Sequence, residues 1–116
     1  MFQAHQGDVF IEEVEKIPQT AYPKGDRIVA EGESHNHRHE LTDGILLYNL
    51  ERQEDGFNKQ IMYLRVDGED TTLAHVTKDP TDRPDHDPIA IPTGNYKITL
   101  QRRYSPQHHS PIRMSD

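Results

Sequence analysis

Asp43-Gly44-Ile45-Leu46-Leu47-Tyr48-Asn49-Leu50, followed by Asp55-Gly56, Lys59-Gln60-Ile61-Met62-Tyr63-Leu64-Arg65-Val66 and Asp67-Gly68, is the stretch that decides the fold. Two short runs of apolar and aromatic residues are punctuated by three Asp-Gly pairs. Asp-Gly supplies the positive φ of tight turns, so each pair marks a change of chain direction, and Asp43-Gly44 reads as a hairpin signal.

The same grammar extends outward. Gly7 to Val14 reads as a strand, with Val9 and Ile11 on one face and Phe10 on the other. Arg27 to Ala30 forms another run after Pro23-Lys24-Gly25-Asp26, and Thr71 to Val76 a further one. Pro88 to Ile91 and Asn95 to Leu100 flank Pro92-Thr93-Gly94, where proline pre-sets φ and glycine is free to take φ > 0. No long window carries a helical period. The expectation is an all-β fold, a small antiparallel barrel or sandwich of about seven to eight short strands. Residues 1–116 read as a single β domain. Pro80, Pro84 and the following Pro88 make 77–87 a polar loop, and 105–116 reads as a mobile tail.

Composition narrows the function classes. Of the 116 residues only 32% are hydrophobic and none is Trp, so the interior is small. A bound metal or a partner subunit, such as a homodimer mate, would stabilise so modest a core. The formal charge is −7, which disfavours free nucleic acid as a partner. The one basic concentration, Gln101-Arg102-Arg103-Tyr104, suits a small anionic ligand if it is more than a solvated strand. With no cysteine, thiolate metal sites, disulfides and cysteine nucleophiles drop out. Neither a signal peptide nor a membrane-spanning run is evident, giving the expectation of a cytoplasmic protein with no membrane role.

Chemistry concentrates in Gly32-Glu33-Ser34-His35-Asn36-His37-Arg38-His39-Glu40. On a strand, His35, His37 and His39 share one face, with neighbours roughly 6.5–7 Å apart at Cα. Ring nitrogens must approach a zinc-like ion to about 2.0–2.1 Å, so two of the three can converge on one cation while a third would be strained. Further ligands must come from elsewhere, and His75 and His86 are the candidates. Asp85 or Glu40 could orient a ligand histidine or act as general base. On a helix His35 and His39 would pair at i, i+4, but the general-base Glu of H-E-x-x-H is missing. His108-His109 reads as solvated tail, and the bland alternative for the whole set is ordinary exposed histidines.

Several motifs together resemble a set of small uncharacterised bacterial and phage proteins. They are Gln6-Gly7-Asp8-Val9, Gly32-Glu33 with His37 and His39, His75 with Asp85-His86, Ile91-Pro92-Thr93-Gly94-Asn95-Tyr96, and Gln101-Arg102-Arg103-Tyr104-Ser105-Pro106. The family pattern has Gly-Glu-x-Thr-Gly-His-x-His, His…Glu-His and Gln-Arg-Glu-Tyr, so Asn36, Asp85 and Arg103 depart from it, Arg103 by a reversal of charge. The resemblance implies His37, His39, His75 and His86 as metal ligands and sets His35 aside. A looser similarity is to cupins, small barrels that hold a metal through H-x-H.

Two functions follow as expectations. One is a metal-dependent hydrolase or cupin-like enzyme, with zinc, iron, nickel or manganese on those histidines. Asp85 or Glu40 would serve as base, and Arg102, Arg103 and Tyr104 would bind a small anionic substrate. The other is a non-enzymatic binding or assembly module whose histidines are structural or solvent-exposed.

Overall fold

In a computed structural model describing residues 1–31, 37–77, 87–105 and 110–113, the deciding stretch forms the longest strand pair. β6 (Ile45–Arg52) and β7 (Asn58–Val66) run antiparallel from Ile45 opposite Arg65 to Arg52 opposite Asn58. Alternation gives each strand two unlike faces. Leu46 and Leu64, a register pair, turn inward and are fully buried. Asn49, Glu51 and Tyr63 fall on the opposite face.

Among the described residues, ten strands make two antiparallel sheets. The six-stranded sheet has the order β1-β2-β10-β7-β6-β3, with β1 (Gln3–Gln6), β2 (Val9–Val14), β3 (Tyr22–Pro23) and β10 (Gly94–Leu100). The four-stranded sheet has the order β4-β5-β8-β9, with β4 (Ile28–Glu31), β5 (His37–Leu41), β8 (Thr71–Thr77) and β9 (Ile89–Ile91). A separate ribbon pairs β11 (Arg102–Ser105) with β12 (Ser110–Arg113). Val9, Ile11, Leu64 and Tyr96 of the larger sheet join Leu41, Leu73 and Ile91 of the smaller in one buried cluster. Two sheets packed face to face over a shared core make a sandwich. Among the described residues its sheets end at β1 and β3, and at β4 and β9, so neither closes on itself. The barrel alternative, and with it the cupin-like form, is thereby corrected.

Asp43-Gly44 joins β5 to β6, strands that belong to different sheets, so it is a corner between layers and not a hairpin. Pro92-Thr93-Gly94 makes the same kind of passage from β9 to β10. At Gly44, φ is +98° and a Cβ would stand 3.1 Å from Leu64 Cδ1 and 3.2 Å from the Arg65 carbonyl oxygen. Glycine is required there by conformation and by space. The buried Thr71 hydroxyl pins the corner, donating to the Asp43 carbonyl at 2.8 Å and accepting from the Asp43 N–H at 2.8 Å. Asp55-Gly56, by contrast, does close the β6–β7 hairpin.

On the far face of the large sheet, Leu47, Ile61 and Tyr63 form a second cluster with Val14, Ile17 and Ala21. The Tyr63 hydroxyl donates to Glu51 Oε2 at 2.5 Å, and Asn49 Nδ2 donates to the same oxygen at 2.9 Å. Those two bonds, the Asn49 amide first, hold the Glu51 carboxyl below its usual range. Burial, aided by the Glu51 hydrogen bond, pushes the Tyr63 phenol up to about 12. A folded-state value raised in this way contributes stability that is full below the ordinary tyrosine range and fades as pH climbs through about 12. In an absorbance titration of the five tyrosines, Tyr63 is expected among the last to ionise, with Tyr63→Phe shrinking the late phase. Ionisation of every tyrosine at the ordinary value would contradict this packing.

Candidate functional site: a buried histidine pair

β5 and β8 lie side by side in the smaller sheet, and their register sets His39 directly opposite His75, two positions from the inward pair Leu41 and Leu73. The histidines therefore continue the row that faces the core. His39 is 0% exposed and His75 3%. Their rings stack with centroids 4.8 Å apart and planes 29° from parallel.

The other sheet supplies polar partners. Gln6 ends β1 and Asp8 lies in the tight β1–β2 turn, and both side chains are buried. Gln6 Nε2 donates to the Leu73 carbonyl at 3.0 Å and to the Asp87 carbonyl at 2.8 Å. With both amide hydrogens committed, Gln6 Oε1 is left as the acceptor 2.7 Å from His39 Nδ1. The proton of a neutral His39 ring accordingly sits on Nδ1, and the lone pair on Nε2. Nε2 lies 3.9 Å from Asp8 Oδ1, beyond hydrogen-bond length. Gln6, Asp8, His39 and His75 are four of the six buried polar side chains among the described residues. Such a concentration in a small core makes this the candidate site.

The structure brings together two of the four histidines expected as ligands. His39 and His75 are brought together across the sheet. His37 lies two positions along β5 from His39, opposite Thr77, but its side chain falls outside the described residues. His86 and Asp85 also lie outside them. Among the described residues, no group of three or more His, Cys, Asp or Glu side chains is arranged to hold a metal ion. Glu40 does not reach the pair. It follows His39 directly on the strand, so its side chain takes the opposite face, where Oε1 meets Arg38 Nε at 3.0 Å. Arg102, Arg103 and Tyr104 stand on β11 opposite Arg113, Ile112 and Pro111. Their side chains, and residues 106–109 and 114–116 of the expected tail, are outside the described residues.

Sequence reasoning missed Gln6 and Asp8 as site residues, taking Gly7 as the start of one strand. A polar-Gly-Asp turn between β-prone segments was the available signal, because a hairpin there delivers both flanking side chains to one sheet end. Gln101, whose N–H donates to the Asp8 carbonyl at 2.7 Å, brings the end of β10 to the same place.

The family described as "Domain of unknown function (DUF8820)" matches residues 5–101, and the chain belongs to it. This replaces the expected kinship with the bacterial and phage proteins defined by their histidine motifs, and the looser one with cupins, whose closed barrel the two open sheets do not form. No curated protein and no solved structure matches the chain. Among the described residues no helix is long and apolar enough to cross a membrane.

Proposed function

We propose that this member of the family is a non-enzymatic binding or assembly module in which His39 and His75 are structural members of the core. The observation that carries the reading is enclosure: His39 has no exposed surface and its Nδ1–H is committed to Gln6. Catalysis on a diffusing substrate needs reactive atoms within hydrogen-bond reach of that substrate. A stacked, walled-in imidazole pair instead satisfies a polar seam between two sheets, where an unpartnered group would cost stability.

A second reading, a divalent-metal site, is favoured by one specific contact. Histidines that bind metal characteristically donate their other ring N–H to a carbonyl or carboxylate, and the Gln6 amide oxygen holds His39 in that way. Nε2, turned toward Asp8 and the stacked His75, would then be the ligating atom, with zinc, iron, nickel or manganese as the ion.

Elemental analysis of untagged protein, paired with thermal denaturation in the presence and absence of a chelator, separates the two. The module reading expects no stoichiometric metal and a melting temperature indifferent to chelator. One equivalent of metal, lost in His39→Ala and His75→Ala but kept in His5→Ala, would overturn it in favour of the metal site.

A further inference from the structure

The six-stranded sheet forks. The β7–β10 ladder runs from Val66 opposite Gly94 to Met62 opposite Ile98 and stops there, although both strands continue. Beyond that point Thr99 and Leu100 stay with β2, opposite Phe10 and Val9. Asn58 to Ile61 stay with β6, opposite Arg52 to Asn49. Between the prongs lies a cleft of about 370 Å³, walled by Lys59 to Met62 on one side and Lys97 to Leu100 on the other.

A sheet edge carries backbone N–H and C=O groups that pair readily with an added strand. Here two edges face each other across one cleft, which suits an extended segment rather than a helix or a compact ligand. Alternation then dictates what that segment must carry. On the core-facing side stand Met62, Ile98 and Leu100, which belong to or pack on the main cluster. On the other side stand Lys59 and Lys97. Among the described residues the cleft walls hold these two lysines and no acidic residue, within a chain of net charge −7. Glu51 stands opposite Lys59 on β6 and Glu12 opposite Lys97 on β2, on the outer flanks of the two prongs and outside the cleft lining. Glu51, which also feels Lys97, accepts from Tyr63 and Asn49.

We infer that the fork between β7 and β10 is a strand-addition site for an extended peptide segment of a partner protein with alternating apolar and acidic residues. The apolar side chains would fall on Met62, Ile98 and Leu100, and the carboxylates on Lys59 and Lys97. This rests on reading the chain as a binding module and names the chemistry of its partner.

The test uses the full chain and a fluorescent, end-capped peptide of alternating valine and glutamate, with a valine–lysine peptide as the contrast. Anisotropy is expected to report saturable binding of the acidic peptide only, and amide shifts are expected to cluster at Lys59 to Met62 and at Thr99 and Leu100. The double variant Lys59→Glu/Lys97→Glu, whose fold is checked by circular dichroism, is expected to bind the acidic peptide about tenfold more weakly and to gain the basic one. Equal binding by the variant, shifts elsewhere, or no binding would overturn the inference. Sedimentation showing dimers that charge reversal disperses and peptide does not would overturn it too, assigning the fork to a second copy. Metal content of the same sample shows whether the module reading itself has failed.

Discussion

His39→Ala is expected to lower the free energy of unfolding by about 2–4 kcal/mol, read as a lower urea midpoint at unchanged slope. Two losses combine. The ring is fully buried and stacked on His75, so alanine leaves a void against its neighbour. Gln6 Oε1, held in place by the bonds of its own amide nitrogen to Leu73 and Asp87, loses its donor at the same time. His5→Ala is the control. His5 lies on the exposed side of β1 against Phe10, and its removal should cost no more than about 0.5 kcal/mol. Equal midpoints for the two variants would show that the pair does not stabilise the core.

The second large effect concerns the layer contact itself. Leu64 is fully buried in the cluster that both sheets share, opposite Leu46 on the neighbouring strand. Leu64→Ala is expected to destabilise by about 2–5 kcal/mol, the range for a leucine deleted from a close-packed interior. Leu50, on the adjacent strand but 61% exposed, should tolerate alanine within about 0.5 kcal/mol. A sheet that packed on nothing would make the two substitutions equivalent.

Strands were the most legible part of this chain, and the residues explain why. Ile45 to Leu50, Lys59 to Val66 and Thr71 to Val76 combine β-branched or aromatic content with Asp-Gly punctuation, and each is a strand in the structure. Which strands are neighbours was far less legible. Asp43-Gly44 carries a hairpin's local chemistry, yet a turn with φ > 0 serves equally to bend the chain from one layer into the next. Long-range contacts, those of Thr71 with Asp43 and of Thr42 with Thr72, distinguish the two uses. Two-residue β3 and the short β1 lacked the length to signal themselves.

For the site, alternation puts His37 and His39 on one strand face, and an antiparallel fold lets His75 or His86 reach that face. That the face is the inward one is legible only from the packed sheets. Glu40 adjoins His39 in sequence but takes the opposite face of the strand, because successive side chains alternate. Gln6 and Asp8 were missed because their role depends on a distant partner, His39, which lies 33 positions along the chain from Gln6. No local window contains that pairing.

His39 and His75 are enclosed, packed side chains, and everything proposed for the site depends on that enclosure. The most direct measurement is site-resolved deuterium exchange at the histidine ring carbon in untagged, native protein, read by mass spectrometry. Slow exchange at His39 and His75 beside fast exchange at His5 is the predicted result. Exchange at His39 as fast as at His5 would contradict it.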